Sequence, residues 1–436
     1  LGRLIFTMLR NPIAISFVFP VCWGRRSSLG GYKDYSRKVD GLPFERYCKS
    51  GLTILGMLLI VLSCTEPFEF NAEEFENVLI VEAGITDEMK TQEVFLSRSF
   101  VADEEVVQER GATVSIMDDV GVAYQFQEAE PGLYRSTIDF GAVEGREYRL
   151  QVGTADGASY SSTVVTLPSK AEIGELRAVR TTNERGIDGV AILINSIGQD
   201  DGAGFYRYEY EETYRIQSAL VGFERLIVAS EDPPTLELVW NDRNEHFCYN
   251  GQTSNTISIT DTEGFSENRV SDFQVRFIDR RDRIVASRYS ILVKQFKQSR
   301  EAHVFYETLQ EFSGIESLFT QTQPGFINGN ISSDNNPENR VLGFFEATAV
   351  TSKRIFFDFN DIFTEEDPGT LISECEETRS IRLFDPGLFA LITSGNWRFL
   401  STDPLDETQT TYLLVKTRCV DCTVFGTNVR PDFWED

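Results

Sequence analysis

The sequence predicts a mainly β protein, an N-terminal immunoglobulin-like β-sandwich followed by a larger β-rich domain carrying one conspicuous amphipathic helix. Three observations predict it. From Val78 onward apolar and polar residues alternate with a period of two, the pattern of half-buried strands. Turn residues interrupt that alternation mostly at intervals of about 8–12 residues, as they do in sandwiches. One stretch, Ser299 to Gly314, changes to helical spacing.

The segments before Val78 come first. Residues 1–50 read as an over-extended reading frame, with translation starting near Lys49; the competing reading is a cytoplasmic extension ahead of a signal anchor. Residues 51–63 read as a lipoprotein signal peptide. Arg46 and Lys49 supply a short basic lead, and Leu52 to Leu62 is an uncharged, largely apolar run. That run falls short of the roughly 20 apolar residues a membrane span needs. Small Ser63 directly before Cys64 suits a lipoprotein peptidase, so Cys64 is expected to be acylated and to become the mature N-terminus. Each buried methylene of the acyl chains would then contribute about 0.8 kcal/mol of membrane affinity. Residues 64–77 carry Glu66, Glu69, Glu73, Glu74 and Glu76 and read as an acidic tether.

Charge narrows the range of partners. Residues 1–64 hold nine Lys or Arg and three Asp or Glu, which leaves 32 basic and 65 acidic residues beyond them, a net near −33. Such a surface repels nucleic acid and anionic head groups. It suits a soluble body and a neutral or cationic ligand, and specifies neither.

Residues 78–168 are expected to form the sandwich. Its strands are Val78–Ala83, Glu93–Ser97, Ala112–Met117, Ala123–Gln127, Leu133–Ser136, Glu147–Val152 and Ser159–Thr166. Asp119-Val-Gly121, Pro131-Gly132, Gly145 and Asp156-Gly157 punctuate them as turns.

Residues 169–436 form the second, β-rich domain. In Phe205–Tyr214, Tyr206, Tyr208, Tyr210 and Tyr214 fall on one strand face, with Arg207, Glu209 and Glu211 on the other. The tyrosine stripe either stacks a flat ligand such as a sugar or is half-buried sheet surface. Tyr206, Tyr208 and Tyr210, with Trp240 or Trp434, are the first places to look for binding, and at least two of the three tyrosines are expected to prove core. Phe273–Ile278, Ser287–Lys294, Gly343–Ala347 and Lys353–Phe359 read as further strands. Ser299 is a good N-cap, Ala302, Phe305, Tyr306, Leu309 and Phe312 form the apolar stripe, and Gly314 is a plausible stop. His303 lies off that stripe and is expected to be solvated.

Four cysteines follow Cys64: Cys248, Cys375, Cys419 and Cys422. An even number in an exported chain points to two disulfides, with three possible connectivities. Cys419-Val-Asp-Cys422 also has the spacing of a zinc or redox pair, and His246 with Cys248 could complete a Cys₃His set, leaving Cys375 over. A thioredoxin-like site wants a helix after its first cysteine, whereas Thr423-Val-Phe-Gly426 reads as strand or loop.

No catalytic residue is assigned, and no cofactor or metal is expected. The two histidines, His246 and His303, accompany no Gly-x-Ser-x-Gly elbow, HExxH pair or Walker loop. Ser332–Glu338 is rich in oxygen ligands but lacks the glycine and glutamate spacing of a calcium loop, so it reads as a polar turn.

Several segments together resemble a family of Bacteroidota outer-membrane lipoproteins, domain-of-unknown-function family 4249. They are Cys64-Thr-Glu-Pro-Phe-Glu69, Val78-Leu-Ile-Val-Glu-Ala-Gly84, Gly111-Ala-Thr-Val-Ser-Ile116, Tyr208-Glu-Tyr-Glu-Glu212, Ser290–Gln295, Glu301–Phe305, Ile327–Ile331, Cys419–Cys422 and Pro431-Asp-Phe-Trp434. The resemblance implies a lipid-anchored protein of the outer membrane, facing the cell surface and associated with a TonB-dependent receptor. The expected role is a ligand-binding accessory to that transporter, not an enzyme; the alternative is a structural or assembly subunit of an outer-membrane complex.

Overall fold

The computed structural model describes residues 78–99, 107–200, 202–313, 327–364, 366, 375, 377–402 and 411–436. The protein is mainly β, and among the described residues there are several sheets, few helices and no closed barrel.

The first nine strands are β1 (Leu79–Thr86), β2 (Glu93–Arg98), β3 (Val107–Gln108), β4 (Thr113–Asp118), β5 (Ala123–Glu130), β6 (Leu133–Ser136), β7 (Glu147–Gly153), β8 (Ser159–Ser162) and β9 (Val165–Thr166). They pair in the order β1-β2-β6-β5-β4-β7-β8, each contact antiparallel. Alternate side chains of this wrapped sheet meet in a core that includes Val81, Leu96, Ile116, Tyr134, Tyr148 and Leu150. The turn at Gly132 requires glycine twice over. Its φ is +75°, and a Cβ there would stand 2.6 Å from the Leu96 carbonyl oxygen.

The rest of the chain adds β10 (Ala171–Thr182), β11 (Asp188–Gly198), β12 (Phe205–Gln217), β13 (Glu224–Glu231), β14 (Pro234–Trp240), β15 (Phe247–Thr253), β16 (Ser258–Asp261), β17 (Arg269–Asp279) and β18 (Tyr289–Gln298). Helix α1 (Arg300–Ser313) follows, then β19 (Ile331–Ser333), β20 (Val341–Phe357), β21 (Thr378–Arg382), helix α2 (Pro386–Thr393), β22 (Trp397–Thr402) and β23 (Thr411–Lys416). Three layers cover one another in this half. The sheet β10-β11-β17 packs on one face of the run β15-β12-β18-β20, and α1 packs on the other. The hairpin β13-β14, α2 and the sheet β21-β23-β22 form a smaller unit around Leu226, Leu388, Trp397, Phe399 and Leu414.

The boundary expected at residue 168 is corrected by β20. Its first half pairs in parallel with β1, from Leu79↔Val341 to Thr86↔Thr348, and its second half pairs antiparallel with β18, from Lys297↔Ala349 to Tyr289↔Phe357. One 17-residue strand therefore serves both halves of the molecule. Val341, Phe345, Ala347 and Ala349 complete the sandwich core, and β19 pairs with β8 beside them. A parallel pair needs a long crossover, here the whole chain between β1 and β20, so a local reading of residues 78–168 has no means of supplying it. The two strands expected at Gly343–Ala347 and Lys353–Phe359 are this one strand, which ends at Phe357, ahead of a short helix over Phe359–Ile362.

Candidate functional site

Strand β12 divides the expected site in two, because successive side chains leave a strand on opposite faces. Tyr206 and Tyr208 turn toward the β10-β11-β17 sheet and are fully buried there. Tyr206 Oη donates to Asn268 Oδ1 at 2.7 Å, and the Tyr208 ring stacks on Phe273 at 5.1 Å. Burial pushes the Tyr206 hydroxyl up to about 12 and the Tyr208 hydroxyl higher. Tyr210 and Tyr214 are partly buried at the margin of the same core. As ligand-binding candidates Tyr206 and Tyr208 are set aside and the sheet-surface alternative holds for them: the second sheet occupies the face that a ligand would need. Trp434 is corrected likewise. It is buried against Tyr249 at 4.9 Å and Phe356 at 5.7 Å, fastening the C-terminal segment to β15 and β20. Trp240 is different, being 68% exposed and stacked 6.2 Å from Phe223, itself 63% exposed.

The opposite face of β12 carries the polar chemistry. Arg207 stands across from Phe296 on β18, and its guanidinium lies 4.3 Å from that ring's centre and 4.9 Å from the Tyr306 ring. Arg207 Nη2 donates to Glu346 Oε1 at 3.1 Å, and Nη1 donates to Glu209. Glu346 also accepts from Tyr306 Oη at 3.1 Å and from Gln298 Nε2 at 2.8 Å. Helix α1 delivers Tyr306. Ser299 Oγ accepts the Ala302 N–H at 3.1 Å and caps its first turn, while Ala302, Phe305, Tyr306 and Leu309 bury the expected stripe against Ile257 and Phe344. Burial disfavours the Arg207 charge, yet Tyr306, Glu209 and Glu346 outweigh it and hold the group protonated. Burial pushes Glu209 up as well, but Arg207 prevails and lowers it.

Glu82 of β1 faces the same side. It pairs across with Phe95 on β2 and Phe344 on β20, two positions before the Gly84↔Glu346 pair. The residue is 5% exposed, and neither carboxyl oxygen has a hydrogen-bond partner. Thr86 Oγ1 and Arg207 Nε are buried without partners as well. All three residues line one cavity of about 190 Å³, which Phe95, Phe296 and Glu346 also line and which reaches the surface at Glu93. Burial raises the Glu82 carboxyl to about 8, so the proton stays on it at neutral pH.

A contrasting network shows what a satisfied structural cluster looks like here. Glu212, equally buried, accepts from Tyr289 Oη at 2.5 Å, from Arg276 Nε at 3.2 Å and from Gln252. Both of its oxygens are engaged in hydrogen bonds, unlike those of Glu82.

The remaining sequence candidates are accounted for individually. Cys248 bonds to Cys422 and Cys375 to Cys419, which separates Cys419 from Cys422 and ties the C-terminal segment to β15. Of Ser332–Glu338, Ser332 and Ser333 end β19 and the rest is the expected polar turn, with Ser161 Oγ donating to Asp334 Oδ1 at 2.5 Å. His246 Nδ1 lies 2.7 Å from Ser218 Oγ. His303, expected in solvent, is 5% exposed and its ring sits tilted against Phe205 at 5.2 Å, because β16 and β12 cover that flank of α1. Burial holds its pKa below the usual histidine value. Cys64, the signal segment 51–63 and the tether 64–77 lie outside the described residues.

Sequence reasoning missed Glu82, Glu346, Gln298 and Tyr306 as parts of one site. A signal for Glu82 was present: a glutamate inside Val78-Leu-Ile-Val-Glu-Ala-Gly84, a run otherwise apolar on both strand faces. The others come from strands and a helix that no local pattern brings together.

Comparison with known proteins gives one family match. The profile described as "Domain of unknown function (DUF4249)" matches residues 65–354. No curated protein matches the chain. A solved structure, a DUF4785 family protein from Legionella pneumophila subsp. pneumophila str. Philadelphia 1, aligns at 6% identity and a TM-score of 0.16, over 50% of this chain and 52% of that one. The alignment thus spans about half of that protein, and at this score it carries no argument.

Proposed function

The chain belongs to the family described as Domain of unknown function (DUF4249), and from that premise we propose that it is a lipid-anchored binding protein of the outer membrane. On this reading Cys64 carries the acyl chains, the acidic tether lifts the body off the membrane, and the body captures a small solute for a TonB-dependent transporter. One observation carries the capture role: the buried Glu82 carboxyl, unpartnered on both oxygens and lining a cavity that opens at Glu93. A buried polar group without a partner costs about 1–3 kcal/mol. A ligand that completes its hydrogen bonds recovers that cost, so affinity is built into the resting protein.

A second reading, an assembly subunit of an outer-membrane complex, draws on the exposed Phe223–Trp240 pair. Stacked aromatic side chains at a surface are typical anchors of protein contacts.

Deleting the gene and solubilising the outer membrane gently tests both. Capture requires the receptor to copurify with the wild-type protein and solute uptake to fall on deletion at constant receptor level. Broad disturbance of outer-membrane composition with uptake intact would favour assembly. Intact mass of the purified protein tests the anchor: acylated Cys64 is expected, and peptides from residues 1–45 in that material would refute it.

A further inference from the structure

We propose that the Glu82 cavity takes the primary ammonium group of a small polar amine. The inference deepens the capture reading and rests on it, since it names the chemical class of the captured solute.

Charge is the first argument. Glu82 shares its cavity with Glu346 on β20, Arg207 on β12 and, at the rim, Glu93 on β2; Glu209 on β12, Gln298 on β18 and Tyr306 on α1 stand one contact further out, bonded to Arg207 or Glu346. Glu93 is answered by Arg135 of β6 at 2.8 Å. Arg207 is thus already paired with two carboxylates, Glu346 in the cavity wall and Glu209 outside the lining, before Glu82 is counted. Adding an anion is unfavourable in such a place, and adding a cation is favourable.

Hydrogen-bond arithmetic is the second. The unpartnered atoms are Glu82 Oε1 and Oε2, both acceptors once the carboxyl ionises, the Thr86 hydroxyl, which can accept or donate, and one obligate donor, Arg207 Nε. An ammonium group offers three donors and no acceptor. A hydroxyl or carbonyl oxygen next to it on the ligand would serve Arg207 Nε. Size is the third. At about 30 Å³ per water-sized group, a volume of 190 Å³ takes on the order of six such groups. Phe95 and Phe296 line the same cavity and suit a cation with a short carbon body.

The site also carries a proton balance. Glu82 is protonated before binding and faces the ammonium as a carboxylate afterwards. The O–H bond of the carboxyl breaks, the ligand keeps its own three N–H bonds, and the proton passes to solvent.

Isothermal titration calorimetry on the mature, full-length protein tests this, with ethanolammonium chloride as probe and ethylene glycol and glycolate as neutral and anionic counterparts. Titrations in two buffers of different ionisation enthalpy read the proton. Ethanolammonium is expected to bind at pH 7 with release of close to one proton, its affinity rising up to about tenfold from pH 6 to pH 7. Glu82→Gln should weaken it at least about tenfold, the scale of a lost charge-assisted hydrogen bond, while its melting temperature at pH 7 is no lower than the parent's. Thr86→Val, a second probe of the same pocket, should weaken it by a smaller factor. Absence of ethanolammonium binding, or undiminished binding by a folded Glu82→Gln protein, overturns the proposal. Ethylene glycol or glycolate binding more tightly than ethanolammonium overturns the ammonium assignment alone, because capture is judged separately by receptor copurification and uptake.

Discussion

Arg207 Nη2 donates to Glu346 Oε1 at 3.1 Å across 139 residues of chain, in a position where both side chains are almost wholly withdrawn from solvent. Removing one member of such a pair leaves a buried charge without compensation, which typically costs about 3–5 kcal/mol. Arg207→Met is therefore expected to lower stability by about that amount in urea denaturation. Arg207→Lys should not restore it, because one ammonium cannot reproduce the planar fork held by Glu346 and Glu209 between two aromatic rings. Combining Arg207→Met with Glu346→Gln should recover part of the loss.

Glu82 makes stability depend on pH with a definite sign. Its carboxyl is raised from 4.5 to about 8 on folding, so between those values the folded protein holds a proton that the unfolded chain releases. This contribution is fully present below pH 4.5 and is lost as pH rises through 8. Glu82→Gln should consequently differ little from the parent at pH 5 and melt at least about 2 °C higher at pH 8. Parallel melting curves at the two values check it; an unchanged difference between them would refute it.

Tyr208 belongs to the core and should behave as such. Tyr208→Ala is expected to cost about 3–5 kcal/mol, as large aromatic truncations do. Tyr208→Phe should cost far less, since the hydroxyl has only a long 3.5 Å contact with Ser196 Oγ. Ethanolammonium binding by the folded Phe variant should match the parent, which separates the two faces of β12 in one measurement.

The disulfides close loops of very different length, 174 residues for Cys248–Cys422 and 44 for Cys375–Cys419. On the chain-entropy account these contribute about 5 and about 4 kcal/mol respectively. Paired serine replacements should destabilise in that order under guanidinium denaturation. Peptide mapping without reductant should recover both linkages and none between Cys419 and Cys422.

Trp240 and Phe223 offer an outcome opposite to that of Tyr208. Because both rings are mostly exposed, alanine at either should move the melting temperature by less than about 1 °C, the scale of surface substitutions. Should they anchor a protein partner, the same variants lose its copurification. Retention of every partner by the double variant would assign the pair no contact role.

Local chemistry made much of this fold readable. Leu133–Ser136 is the strand that alternation predicts, the turn glycines at 121, 132, 145 and 157 all take positive φ, and α1 begins at its expected cap. Each of those features is decided by neighbours within a few residues. The partition of β12 was also legible as a pattern, with tyrosines on one side and charges on the other. What the pattern could not say is which side would be roofed by a second sheet and which would border a cavity. That depends on β1 meeting β20, more than two hundred residues away, and on α1 folding back over Glu346, 40 residues beyond Tyr306. The site itself therefore escaped local reading, apart from the out-of-place glutamate at 82.

The shared strand has a mechanical consequence. On the proposed anchor, any pull between membrane and body enters the folded protein at Leu79, the first residue of β1. That strand is gripped on both flanks, by β2 at five registered positions and by β20 at eight. A load directed along β1 must shear both ladders together, whereas a strand with one neighbour would peel away bond by bond. On that proposal the load meets a doubly paired strand, and the body should stay folded under forces that would open a terminal hairpin.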